Sequence, residues 1–156
     1  WEINPMTGAR ILEGEEKAAA VREATFNAEL KWRDLYTAAE TTGQETVDDK
    51  QAWVVVLTPP EGEPETRWYD AESGLLLKMQ RVQATQMGDV PLAVTVGDYE
   101  TFDGVTMPTK TTQDLSVQTM AITLESVQHD TGLGDEVFAL PEAVRALLEP
   151  AGATGD

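Results

Sequence analysis

Apolar and polar positions follow two different rhythms along this chain. Over residues 15–36, Val21, Ala24, Ala28, Trp32 and Leu35 recur every three or four positions, the period of one helix face. The segment is rich in Ala, Glu, Lys, Arg and Leu, which are good helix formers. Glu15 and Glu16 stand in its first turn, where carboxylates favour the positive end of the helix dipole. Thr25, Phe26 and Asn27 are its weak point, and Asn27 is a candidate cap for a second helix. From Thr41 onward the rhythm shortens to strand-length runs cut by turn residues. Strands are predicted at 44–46, 51–58, 65–69, 75–84, 90–102, 105–115 and 118–128. The proline-rich loop 59–64, the turns at 47–50, 70–74 and 87–89, and the Asp103-Gly104 pair separate them. Residues 1–14 read as an extended lead-in with a turn at 4–8, and 142–148 as a short amphipathic helix after Pro141.

Alternation within the strands refines this picture. Residues 52–57 are apolar on both faces, with Trp53, Val55 and Leu57 on one and Ala52, Val54 and Val56 on the other, as in a central strand covered from both sides. Residues 105–113 are largely Thr, Lys and Gln, as in an exposed strand. Val90, Leu92, Val94 and Val96 share a face until Gly97, which is expected to form a bulge and bend the strand. The fold class that follows is α+β and mostly antiparallel β: a curved meander sheet with the N-terminal helix packed on one face. Residues 1–150 form one domain and 151–156 a frayed tail.

Charge and composition narrow the function classes. The chain has 156 residues, of which 28 are acidic and 11 basic, for a formal charge of -17. The excess is spread out, with 16 acids and 8 bases in residues 1–78 and 12 and 3 in the rest. Such a field disfavours nucleic acid and an anionic membrane surface. Absence of cysteine rules out disulfides, thiolate metal sites and cysteine catalysis. No run approaches the roughly 20 apolar residues that span a bilayer as a helix. The sequence opens at Trp1 without Met, as a processed or excised segment would.

Catalytic chemistry is hard to assemble from these residues. His129 is the only histidine and lies among turn residues with Asp130 and Gly132, so neither a triad nor a transition-metal site is expected, and no cofactor. Ser73, Ser116 and Ser126 lie outside any nucleophile elbow. The carboxylate pairs Asp48/Asp49, Glu61/Glu63, Asp98/Glu100 and Asp135/Glu136 fall mostly in turns, where such side chains bond local backbone or water. Trp1, Trp32, Trp53 and Trp68, with Phe26, Met79 and Met120, either fill a core or line an apolar cavity; aromatic and Met side chains suit ligands of variable shape.

Several local patterns carry a family resemblance. They are Trp1-Glu2-Ile3-Asn4-Pro5 with Gly8; residues 43–47 before the apolar run 52–57; Trp68-Tyr69-Asp70 with Ser73-Gly74-Leu75-Leu76; and Asp98-Tyr99-Glu100 with Asp103-Gly104-Val105 and Pro108. Over roughly residues 1–140 the chain resembles the C-terminal part of the LolA/LolB-like superfamily of outer-membrane lipoprotein-sorting proteins. The resemblance implies an incomplete β-barrel whose concave face is plugged by helices around an apolar cavity. The strands that precede the helix in that superfamily are absent here; either they lie in a preceding part of a longer protein or the domain stands as a half-barrel. By the same resemblance the domain is a non-enzymatic binder or carrier of lipid-like ligands, such as a lipoprotein acyl chain, in the periplasm or envelope of a bacterium. The expected ligand-contacting residues are Trp32, Trp53, Val55, Leu57, Trp68, Leu77, Met79, Met120 and Ile122. The alternative is a structural or interaction subunit that joins other proteins of an envelope assembly.

Overall fold

In the computed structural model, residues 1–4, 8–85, 88–115 and 118–148 are described. The expected tail at 151–156 lies outside them, as do parts of the turns expected at 4–8 and 87–89.

A small hairpin, β1 (Glu2–Asn4) with β2 (Gly8–Arg10), leads into α1 (Gly14–Ala24). The helix stops where the sequence is weak. Asn27 takes a left-handed conformation (φ 55°), and a 3-10 turn, Ala28–Lys31, and the one-turn α2 (Trp32–Leu35) follow at a new angle. Asn tolerates positive φ because its short polar side chain adapts there. Seven strands then run in chain order as an antiparallel meander: β3 (Ala38–Val47), β4 (Lys50–Thr58), β5 (Glu65–Asp70), β6 (Leu76–Thr85), β7 (Gly88–Phe102), β8 (Val105–Asp114) and β9 (Thr119–Thr123). β3 and β9 are the two edges, so the sheet is open and the barrel incomplete. The C-terminal helix α3 (Glu142–Leu148) lies near β2, with Val144 fully buried.

Two turns show how local chemistry sets the register. Asp48 and Asp49 both have positive φ (46° and 64°), as do Asp103 and Gly104 (48° and 85°), the geometry that matches the twist of two flanking strands. Register shifts occur between Thr41 and Gly43 in β3, and opposite Trp68–Tyr69, where β6 accommodates Leu77 as an extra residue. The bulge expected at Gly97 is absent. β7 and β8 keep one register through it, and the irregular residue is Asp98, one position later (φ 52°), whose carbonyl accepts from the Thr109 hydroxyl.

The pairing defines the two faces. Thr41, Val55, Arg67, Met79, Val94, Gln113 and Met120 stand opposite one another in succession across β3 to β9. Arg67 bonds Glu29 of the 3-10 turn, so this row faces the helices. The helix-side core comprises Tyr36, Leu57, Leu92 and Val94; the opposite face buries Ala52, Val54, Trp68 and Leu77, with Val47 against them. Both sides of β4 are thus used, as its apolar pattern requires.

The attachment of α1 differs from the expected apolar stripe. None of its residues is fully buried, and Val21 points outward. The break at Asn27 interrupts the stripe that would have aligned Val21 with Trp32. α1 is instead tied down by charge: Glu16 pairs with Arg10, and Glu23 with Arg81 of β6.

Candidate functional site

The segment from Asn27 to Tyr36 lays its side chains over the first three strands of the sheet. Trp32 overhangs a cleft of about 410 Å³ whose other walls are Ala39 and Thr41 of β3, Val55 and Leu57 of β4, Arg67 and Tyr69 of β5, and Glu29. The lining is apolar along Trp32, Val55 and Leu57 and polar at the end where Arg67 enters. That is the composition of a site for a molecule with an apolar body and a polar tip.

The polar end is held by a buried network. Arg67 donates from Nε to Glu65 Oε1 (2.7 Å), from Nη2 to the Tyr36 hydroxyl (2.9 Å) and from Nη1 to both Glu29 oxygens (3.0 Å each). The Tyr36 hydroxyl in turn donates to Glu65 Oε1 (2.6 Å). Burial raises the Tyr36 phenol well above the usual range, and its bond to the Glu65 carboxylate adds to the shift. Burial works against the Arg67 cation, but Glu65, Tyr69 and Glu29 together outweigh it and hold the guanidinium charged. The Tyr69 phenol is also raised, chiefly by burial. The network pins the last helical turn to β5, and with its donors and acceptors matched to one another it has the form of a latch rather than a set of reactive groups.

The structure brings most of the sequence-predicted ligand residues to one side. Val55, Met79 and Met120 lie in the cross-sheet row facing the helices; Trp53 and Leu57 share that face on β4, and Ile122 shares it on β9 through its pairing with Thr111. Trp32, Val55 and Leu57 line the cleft itself. Trp53 lies beyond its lining and is 45% exposed; Met120 and Ile122 are exposed at the β9 edge. Trp68 and Leu77 are not among them: both are buried on the opposite face, where the Trp68 indole donates to Glu45 (2.8 Å) and lies under the Lys78 ammonium (4.8 Å).

Sequence reasoning missed Tyr36, Glu65, Arg67 and Tyr69. A signal was present: Glu65, Arg67 and Tyr69 alternate along one face of a strand that lies between two others, where an ion pair is expected to be covered and matched.

Elsewhere the acidic turns gather around a wide recess of about 1100 Å³ at one end of the sheet, lined by Asp48, Asp49, Asp70, Glu72 and Asp98 among others. Asp70 accepts from the backbone N–H groups of Glu72 (2.9 Å) and Ser73 (3.2 Å), which lower its carboxyl below the usual range. His129 meets Asp103 at 3.2 Å on the surface. Among the described residues no group of three or more His, Asp or Glu is arranged to hold a metal ion.

No family model matches the sequence, and no curated relative is detectable by sequence comparison. Solved structures do match the fold. A DUF1329 family protein from Desulfovibrio piger superposes with a TM-score of 0.55 at 20% identity over 68% of this chain and 46% of its own. A domain named for outer-membrane lipoprotein sorting, from Vibrio parahaemolyticus, gives 0.55 at 15% identity over 73% of this chain and 48% of its own. A looser superposition, TM-score 0.47 at 13% identity over 67% of this chain and 52% of the other, relates it to a LolA superfamily protein from Nitrosomonas europaea, and no weight rests on it. The chain thus spans about half the length of the proteins it superposes on. The fold is the one shared with the DUF1329 protein and the lipoprotein-sorting domain: an open antiparallel meander with helices laid against one face.

Proposed function

We propose that this domain binds a lipid-like ligand, an acyl chain or a molecule of similar shape, on the helix-side face of its sheet. The carrying observation is the cleft under Trp32, apolar along Val55 and Leu57 and polar at Arg67 and Tyr69. The apolar surface continues on the same face at Trp53, Met120 and Ile122, outside the cleft lining. The name of the Vibrio structure supports a role around lipoproteins, and with it a bacterial envelope or periplasmic setting. On this reading the domain is a carrier or binding module and not an enzyme, and the Arg67 latch walls off one end of the cleft. Organic extraction of the purified protein followed by mass spectrometry tests it directly. A stoichiometric apolar ligand that is reduced in a Trp32→Ala/Val55→Ser variant is the expected result. Absence of ligand, together with no saturable uptake of a fluorescent fatty acid, sinks the proposal.

One observation favours a second reading, a subunit that docks other proteins: the chain covers about half of its structural neighbours, and Val21, Phe26 and Leu30 stand exposed on the helical layer. Binding of the neighbours' uncovered half, expressed separately, with burial of Phe26 would put this reading ahead.

A further inference from the structure

The two edges of the sheet are built differently. β3 carries Glu40 and Glu45 and a register shift between Thr41 and Gly43, charges and an irregularity of the kind that keep an edge from pairing with another chain. β9 has none of these. The run Thr119-Met120-Ala121-Ile122-Thr123-Leu124 holds no charge and no proline in a chain of which 25% is charged, and its ladder with β8 runs without a shift. All five β9 residues are exposed, and among the described residues no strand lies on their outer side. The register settles which backbone groups point outward. The Leu124 N–H donates to the Thr109 carbonyl and the Leu115 N–H to that of Gln118, so Gln118, Met120, Ile122 and Leu124 bond toward β8. Alternation leaves the N–H and C=O groups of Thr119, Ala121 and Thr123 turned to the open side.

We infer that β9 pairs with β9 of a second copy, antiparallel and centred on Ala121. The segment is self-complementary about that residue. A two-fold ladder sets Ala121 against its own counterpart, Thr119 against the partner's Thr123, and Met120 against the partner's Ile122. The outward backbone groups match in the same register, since the pairs at 119, 121 and 123 each exchange two hydrogen bonds. Thr–Thr and apolar pairs are favourable cross-strand neighbours. Met120 and Ile122, 41% and 45% exposed, cover one another on the helix-side face. On the other face Lys110 and Asp114 of β8 flank Thr123 and Thr119, so each Thr pair lies between a cation of one copy and an anion of the other, three strand spacings or about 14 Å apart. The interface is isologous and closes at two copies, because the charged and irregular β3 edge does not add a further strand. One sheet then spans both copies, with their helix-side faces on the same side and continuous across the joint. The pairing does not require an occupied cleft, so this inference and the lipid reading fail separately.

The test is sedimentation velocity of the intact chain from micromolar to near-millimolar concentration. A ladder of five residues stands at the small end of specific interfaces, so a reversible dimer within that range is expected. Salt should strengthen it, because two bodies of formal charge -17 repel one another and the β9 ladder itself holds no ion pair. Ala121→Lys and Ala121→Glu each set like charges directly opposite at the centre and should weaken the dimer about tenfold or more. Mixing the two variants should restore it, as a register centred on Ala121 requires. Ala121 is exposed, so both variants should melt with the parent. Gln44→Lys, on β3, should leave dimerisation unchanged. A chain that stays monomeric throughout overturns the inference and leaves the edge to a strand of another protein. A dimer that tolerates both charges at Ala121, is not restored by mixing, is dissociated by salt or is abolished by Gln44→Lys overturns it as well, since each result places the contact elsewhere.

Discussion

Removing the Tyr36 hydroxyl leaves Glu65 with Arg67 as its remaining partner in this network, whereas removing the Arg67 guanidinium leaves a buried carboxylate with no cation. The two changes should therefore differ in size. Tyr36→Phe is expected to cost about 1–3 kcal/mol, the range for unmaking one buried hydrogen bond, and Arg67→Met about 3–5 kcal/mol, because a buried charge loses its partner. Equal costs in urea titrations would mean that Glu65 finds another cation. The same network sets an alkaline limit. The folded state raises the phenols of Tyr36, Tyr69 and Tyr99, each chiefly through burial, so it favours their protonated forms. The stability this contributes is fully present below the unfolded tyrosine value near 10 and is lost as pH rises through the folded values. Melting temperature should fall above about pH 10, and less steeply in Tyr36→Phe; an unchanged slope would remove Tyr36 from the account. At this scale the sequence was partly legible. Trp32, Val55 and Leu57 were marked by periodicity and hydrophobicity, but a charged residue's burial depends on what covers it, and nothing within residues 65–69 announces the 3-10 turn above them.

Among the elements, the β3–β4 hairpin makes the clearest case for local chemistry. Asp48 and Asp49 both occupy left-handed backbone, which suits Asp less well than Gly. Asp49→Gly should raise stability by about 1 kcal/mol, since relief of the positive-φ cost outweighs the added freedom of the unfolded chain. A lower melting temperature would show that the Asp49 side chain stabilises the turn through contacts that outweigh its backbone cost. Turns of this kind are written in two or three residues, which is why the hairpin order of the sheet, the break near Asn27 and the helix at 142–148 could all be read from sequence. Element ends were harder. β3 begins at Ala38 rather than near Gln44, because an exposed edge strand carries little alternation to announce it. β9 ends at Thr123 rather than near 128, where ladder pairing with β8 stops and polar residues follow. The helical stripe failed for a different reason: with ion pairs to Arg10 and Arg81 available, α1 is held without burying Val21.

For the whole molecule, the division between the two sheet faces separates a buried cluster from the surface proposed to bind ligand. The face away from the helices holds a small buried cluster: Trp68 is 6% exposed and packs with Ala52, Val54 and Leu77. The helix-side face combines core residues with a cleft and with Trp53, which keeps nearly half of its surface in water. Truncating the two tryptophans should therefore separate the roles. Trp68→Ala removes a buried indole and should cost about 3–5 kcal/mol, a large share of the roughly 5–15 kcal/mol that holds such a domain together. Trp53→Ala exposes less new surface and should cost about 1–2 kcal/mol. If the proposed lipid binding holds, ligand content should move the other way, with folded Trp68→Ala keeping lipid and Trp53→Ala losing much of it. A ligand that binds only the folded state adds stability by mass action, so delipidation should lower the melting temperature of the parent and of Trp68→Ala but hardly that of Trp53→Ala. Melting curves before and after extraction, read beside lipid content, carry the comparison. If Trp53→Ala is as damaging as Trp68→Ala and neither protein holds lipid, the helix-side face is core throughout, and the exposed helical surface becomes the feature from which function must be argued.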